Sequence, residues 1–429
     1  MTENNTVPHD KGLDNTMKLK KEGYRFIPNR MAELNTDIFT THLMAKKVIC
    51  ITGADAVKLF YDDTKFTRKG AAPNYVKKSL FGQHTVHGLE GEAHKERRSL
   101  FLSIFNDEDE NRLIKLYNEY LDKSISVWEY HEPIILYNEI KQALLAVVCQ
   151  WASVPLQEEE KKTRADECMA MVFGFGNDMT VHEEGKAARK VFEKWMEQII
   201  GDIRQGFIEV PEDSPIYKVC NYCESDGTFL DNYMAAVEMI NVIRPVVASS
   251  IFITFAALAL YEFPEYKQRL QNDPTDEYLY KFCEEVRRFY PLTPFLGAVV
   301  REDFEWKNCQ FKKKELVLLD VYGINHDPKI WANPTSFDPE HFKKIELDSV
   351  KLVAQGSGDM KTGHRCPGER LTKKIMMASV KFLAITIGYE LVKEQDITYD
   401  LREIPTLPKS GILIHNIYRQ PQEVKKDFV

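Results

Sequence analysis

A mainly α-helical body with a small β-lobe is the fold class this sequence predicts, on three observations. Long stretches repeat apolar residues every three or four positions, as one face of a helix requires. Strand-like apolar runs are short and lie toward the two ends of the chain. No Ser/Gly/Pro-rich linker or low-complexity stretch divides the 429 residues, so a single domain over 1–429 is expected, with residues 1–20 as a flexible lead.

Between residues 24 and 60 the apolar runs Arg25-Phe26-Ile27-Pro28 and Val48-Ile49-Cys50-Ile51 precede a helix-like Ala54–Tyr61, which suggests a small sheet near the N-terminus. Helical spacing dominates residues 92–105, 109–130 and 139–154. Residues 206–229 read as the longest loop, and past residue 300 strand-like pieces return at 316–323 and 411–416. The most apolar segment, 246–260, falls short of the ~20 residues of a membrane-spanning helix and follows Arg244-Pro245. A helix apolar nearly all round is then a buried central helix, which places Arg244 inside the protein.

The formal charge of -8 is modest and basic residues are interleaved with acidic ones, so nucleic acid is not an expected partner. The opening residues hold no apolar h-region, and stable membrane insertion is not expected; a cytoplasmic location follows by default. Eight cysteines, at 50, 149, 168, 220, 223, 283, 309 and 366, show no disulfide framework, in keeping with a reducing compartment. Cys220 and Cys223 lack a second ligand pair for zinc and read as unrelated loop thiols. His131 and His182 read as surface residues.

Three pieces carry chemistry together. The first is Thr362-Gly363-His364-Arg365-Cys366-Pro367-Gly368-Glu369, a cysteine at the start of a helix, where the dipole favours a thiolate able to ligate metal. The second is Glu284-Glu285-Val286-Arg287-Arg288, in which acid and arginine sit one turn apart; on an exposed helix such a pair contributes only ~0.2–0.5 kcal/mol. The third is Trp331-Ala332-Asn333-Pro334 with Phe337-Asp338-Pro339-Glu340-His341-Phe342, an irregular proline-rich segment that could anchor a buried pair. A lone cysteine of this kind is more often structural, and only the order of the three pieces changes that reading.

Taken in chain order, as acid–arginine pair, proline-rich meander and cysteine loop, they resemble the cytochrome P450 superfamily, from about residue 20 to 416. The resemblance implies a P450 fold with haem b buried between the central helix and the cysteine loop, and Cys366 as axial thiolate. It makes Glu285/Arg288 the pair that braces the meander and haem loop. His94 and Arg98 become haem-propionate contacts, with Arg68 and His364 as further candidates.

The departures narrow the branch. Asp359 and Thr362 stand where monooxygenases usually carry phenylalanine and glycine, and His341 replaces the meander arginine. The central helix reads Asn241-Val242-Ile243-Arg244-Pro245-Val246-Val247-Ala248, without the acid–threonine proton relay of monooxygenases. Arg-Pro here, with the spelling of the cysteine loop, resembles the fatty-acid peroxygenases and their alkene-forming decarboxylases. Pro245 removes the N–H that would bond Asn241 and is expected to kink the helix. Arg244 would then be a buried planar cation in want of a carboxylate, since an unpaired one costs several kcal/mol. A structural alternative pairs Arg244 with Glu238 or a haem propionate.

The implied activity is oxidation of a long-chain fatty acid at Cα or Cβ with hydrogen peroxide and no reductase, including decarboxylation to a terminal alkene. The acid is held by Arg244 and supplies the proton transfers itself. His87 matches a distal position that bears on the choice between alkene and hydroxy acid, with His84 as its decoy, and Phe81 is expected to line the pocket. The alternatives are a reductase-dependent P450 monooxygenase and a non-catalytic haem- or fatty-acid-binding protein.

Overall fold

The computed structural model describes residues 7–131, 133–176, 178–343 and 351–421. Its β-lobe is a five-stranded sheet in the order Ile38–Leu43, Lys46–Ile51, Leu316–Asp320, Phe295–Val300, Phe66–Thr67. The first two strands form a hairpin with Ile38 opposite Ile51 and Leu43 opposite Lys46. Its two-residue turn puts Met44 and Ala45 at positive φ, a conformation disfavoured for residues with a Cβ. Asp14 and Thr16 compensate, because their side chains accept the Ala45 and Met44 N–H groups at 2.6 and 2.7 Å.

Those bonds tie Asp14 and Thr16 of the N-terminal lead to the hairpin. Asn15 is buried and donates to Thr41 Oγ1, and Thr16–Glu22 is a helix; residues 1–6 lie outside the described set. Arg25-Phe26-Ile27-Pro28, expected in the sheet, is helical instead: Phe26 and Ile27 are buried on the helix Phe26–Glu33, which packs on the hairpin.

The helical body follows the apolar periodicity. The predicted segments become Gly91–Ile104, Asp107–Trp128 and Leu136–Ala152. Asn106 caps the second by accepting the Asp109 N–H, and four acidic residues in its first turn complement the dipole. Within the 206–229 loop, Pro215–Cys220 forms a short helix capped by Ser214.

The central helix, Asn232–Ala248, starts at an Asp231 cap and buries every residue from Ala235 to Val247 except Pro245. Truncating a fully buried Ile240 or Ile243 to alanine would cost ~2–5 kcal/mol. α-Helical bonding lapses one turn beyond the proline: the Ser249 N–H reaches back three residues to Val246, and a second helix runs Ser250–Glu262. The two segments together span 31 residues, so length alone does not exclude a membrane span, contrary to the sequence argument. Burial decides, because 89% of the most apolar window is covered by protein.

Candidate active site

The helix Asp276–Phe289, capped by Thr275, carries two buried acid–arginine pairs that reach different neighbours. Arg288 donates to both oxygens of Glu285 at 2.6 and 2.8 Å. Its remaining donors meet the carbonyls of Asn325, Pro334 and Ser336, each at 2.9 Å. Glu285 also accepts the Asp338 N–H at 2.8 Å, so this pair fastens the proline-rich meander. Arg287 donates to Glu284 at 2.6 Å and to Glu369 at 2.8 Å, which ties the same helix to the start of the cysteine helix Glu369–Lys381. Against the upward push of burial, Arg287 and Arg365 hold the Glu369 carboxyl down at about 2. Glu285/Arg288 thus holds the meander, as expected, and Glu284/Arg287 adds a second tie, to the cysteine helix.

His341 completes the meander brace. Its Nδ1 lies 3.2 Å from each Glu285 oxygen and its Nε2 faces the Ala332 carbonyl. Both ring nitrogens meet acceptors, which only the doubly protonated imidazolium satisfies. The hydrogen bond to Glu285 is the chief influence raising its pKa, so this histidine acts as a cation where the superfamily has arginine.

Cys366 lies at the base of a cavity of about 230 Å³. Burial pushes the thiol up, against the Gly368 N–H and the charges of Arg98 and Arg287, so the helix terminus is not the dominant influence that the sequence suggested. A thiolate here needs a coordinated metal, whose charge deprotonates a thiol outright. Phe101, Leu296, Leu371 and Ile375 give the cavity apolar walls.

One margin of the cavity is rich in cationic and imidazole donors. His94 and His364 lie tilted against each other with centroids 4.1 Å apart, and Arg98 donates to the Met360 and Arg365 carbonyls at 2.7 and 2.5 Å. Burial lowers the Arg98 pKa against the charges of Cys366 and Asp359. Burial first, then neighbouring positive groups, holds His94 at about 4 and His364 at about 2. A flat apolar macrocycle with a metal at its centre and two carboxylates at one edge fits this set: sulfur on one side, apolar walls, and cationic and imidazole groups without a salt-bridge partner among the described residues at the margin. Arg68 does not line the cavity; its guanidinium lies over Phe60 and Tyr61, 4.1 and 5.2 Å from the ring centres, and donates to the Phe60 carbonyl.

Across the cavity stand Val86, His87, Asn241 and Pro245. Arg244 sits one layer behind this wall, buried, with Nη2 3.5 Å from Asn241 Oδ1 and Nε without a partner. It forms no ion pair with a described residue; burial and then Arg189 lower its pKa to about 9. The alternative pairing with Glu238 is not formed, because Glu238 binds Arg97 at 2.7 Å, the Val86 N–H at 3.1 Å and Asn241 Nδ2 at 3.1 Å.

His87 lines the cavity and has accessible surface there. Burial and then the Arg244 charge hold its imidazole down at about 3. Phe81 does not line this cavity: its ring stacks on His87 at 4.3 Å and its carbonyl accepts from Asn241, so it supports the histidine from behind. His84 is exposed at positive φ.

Two surface readings change or stand. His182 is buried, with Nδ1 2.9 Å from the Gly174 carbonyl, whereas His131 is exposed. Cys220 is buried and Cys223 exposed, both free, and no His/Cys/Asp/Glu group among the described residues is arranged to hold a metal ion. Arg97 was not foreseen as a site residue, although the i, i+3, i+6 spacing of Glu238, Asn241 and Arg244 marks the helix face it meets.

Fold and site together define a haem-thiolate protein. The family profile described as cytochrome P450 matches residues 15–384, and the chain belongs to the cytochrome P450 family, whose cofactor is haem b held by a cysteine thiolate. Cytochrome P450EX alpha (CYP152N1) with myristic acid is 34% identical and superposes with a TM-score of 0.92 over 97% of this chain and 100% of its own. Cytochrome P450SP alpha (CYP152B1) in complex with (R)-ibuprophen is 36% identical, with a TM-score of 0.91 over 95% of this chain and 99% of its own. A phenylalanine-to-alanine variant of cytochrome P450 OleT in complex with arachidonic acid is 31% identical, with a TM-score of 0.94 over 97% of this chain and 100% of its own. Among curated relatives, carnosic acid synthase of Rosmarinus officinalis is 31% identical over 27% of this chain and 23% of its own length. Cytochrome P450 3A5 of Homo sapiens is 26% identical over 42% of this chain and 38% of its own length. The chain thus spans well under half the length of these curated relatives.

Proposed function

We propose that this protein is a fatty-acid peroxygenase: it binds a long-chain fatty acid by the carboxylate and oxidises it at Cα or Cβ with hydrogen peroxide, including decarboxylation to a terminal alkene. The observation that carries this reading is Arg244, a buried guanidinium without a described anion, next to a cavity with a cysteine at its base. The solved relatives bound to myristic and arachidonic acid support the same substrate class. We read the chain as one catalytic unit, working in the cytoplasm without membrane insertion and without a reductase.

Cys366 would hold haem by its sulfur, with His94, Arg98 and His364 as contacts for its carboxylates, and the bound group would supply the oxidising chemistry. The chain's own residues do the rest. Arg244 offers a planar fork that matches a carboxylate, and desolvation strengthens that match. One substrate oxygen held there leaves the other free to take a proton from peroxide and return it, the task for which the helix carries no acid–hydroxyl pair. Anchoring the head group confines attack to the neighbouring carbons. His87, with Nδ1 3.4 Å from Thr85 Oγ1, leaves Nε2 to meet the substrate and bias the outcome after hydrogen abstraction.

The test is gas chromatography with mass spectrometry after mixing haem-loaded protein with a long-chain saturated acid and hydrogen peroxide. A terminal alkene one carbon shorter, or α/β-hydroxy acids, is the expected product. Unchanged acid, with turnover restored by NADPH and a reductase, would replace this reading by a monooxygenase.

A further inference from the structure

We infer that Gln355 is a tuning residue for the Cys366 sulfur: its side-chain amide donates a hydrogen bond to the axial ligand and moderates the electron density that the thiolate supplies to iron. The inference rests on the haem-thiolate reading above. Gln355 lies eleven residues before the cysteine, and the two are joined by the Cys366 N–H donating to the Gln355 carbonyl at 3.1 Å. The side chain then turns back, and Nε2 stands 3.7 Å from Cys366 Sγ and 3.1 Å from Thr372 Oγ1.

The hydrogen bonds fix which end of the amide faces the sulfur. The Thr372 hydroxyl donates its only proton to the Gly368 carbonyl at 3.1 Å, so its oxygen must accept from Gln355. That sets the NH₂ end toward both Thr372 and Sγ, one hydrogen for each, and leaves Oε1 buried without a partner. A flipped amide would aim an oxygen at two acceptors, one of them a thiolate once metal is bound. A donor held against a thiolate lowers its donation to the metal, and such outer contacts set the potential of cysteine-ligated iron. Sequence reading passed over Gln355 because a glutamine eleven residues from a ligand has no motif spacing.

The experiment compares holoprotein of wild type, Gln355→Met and Thr372→Val by spectroelectrochemistry and resonance Raman. The methionine keeps the volume and removes the donor; the valine keeps the donor and removes the acceptor that orients it. Gln355→Met is expected to shift the ferric/ferrous equilibrium about tenfold toward ferric, ~59 mV for a one-electron couple, and to raise the Fe–S stretching frequency. Thr372→Val should move both readouts in the same direction by less. Wild-type values in every variant that carries thiolate-ligated haem would overturn the inference. So would loss of haem from both variants with helix content intact, which would make the pair structural. Should wild-type protein itself fail to give a thiolate-type ferrous–CO spectrum, the haem-thiolate reading fails first, and the two failures are thereby distinguished.

Discussion

Arg97 donates to Glu238 Oε1 at 2.7 Å in the interior, and this bond takes up the carboxylate that could have neutralised Arg244 two turns along the same helix. Arg97 is held a second time by Glu224. Glu238 then spends its remaining acceptors on the Val86 N–H, next to His87, and on Asn241. One carboxylate thus fastens the His87 turn to the central helix while leaving Arg244 without an anion among the described residues.

Replacing Arg244 by leucine should therefore separate function from stability. Affinity for a long-chain fatty acid is expected to fall by about a hundredfold, ~3 kcal/mol, within the range for truncating one partner of a buried charge pair. Titration of the haem absorption spectrum reads this directly. The ligand-free variant should melt at a higher temperature than wild type, because apolar packing replaces an uncompensated cation. A lower melting temperature would mean that Arg244 already has its anion.

Arg288 tolerates no such exchange. It engages a carboxylate and three carbonyls, a set that the five fixed donors of a guanidinium satisfy and three ammonium donors do not. Arg288→Lys is expected to lose ~3–5 kcal/mol, the penalty for breaking a buried pair, and to accumulate little thiolate-ligated haem. Recovery of a full ferrous–CO spectrum from that variant would contradict the brace.

His341 makes the same brace sensitive to pH. Its folded pKa is raised above 6.5, so the stabilisation from the imidazolium is fully present below 6.5 and is lost as pH rises through the folded value. Urea unfolding of wild type and His341→Gln from about pH 6 to about pH 9 should show an advantage for wild type that shrinks toward the alkaline end. An advantage constant across that range would assign the histidine a packing role.

How much of this was legible in sequence differs by element. The long helices were, because their apolar faces repeat at the helical period; the chain order of acid–arginine pair, meander and cysteine loop pointed to the cytochrome P450 family that the profile match shows. Arg25-Phe26-Ile27-Pro28 misled because a short apolar run does not distinguish a strand from a buried helical turn. Arg68 and Phe81 were assigned to the site by position, and each reaches the Cys366 cavity through a lining histidine, Arg68 by its charge on His364 and Phe81 by stacking on His87, because a residue's place in a motif does not give its side-chain direction. Arg97 and Gln355 act through contacts across 141 and 11 positions of chain, which no local pattern encodes.

The last test concerns His87. Burial and the Arg244 charge hold its pKa at about 3, so the imidazole is neutral throughout the working range. Neutral burial favours the fold above 6.5 and loses that advantage as pH falls toward 3, a dependence His87→Gln should remove. For the reaction, a neutral ring implies that the ratio of alkene to hydroxy acid stays flat between about pH 5 and about pH 8. His87→Gln, which keeps hydrogen bonding but cannot exchange a proton, should lower the alkene share several-fold at every pH. A wild-type ratio that changes sigmoidally near 6.5 would instead show that neither burial nor the Arg244 charge holds the histidine down in the substrate-bound site. Product analysis across pH for the two proteins distinguishes these outcomes, because only a titrating histidine gives a midpoint that disappears in the glutamine variant.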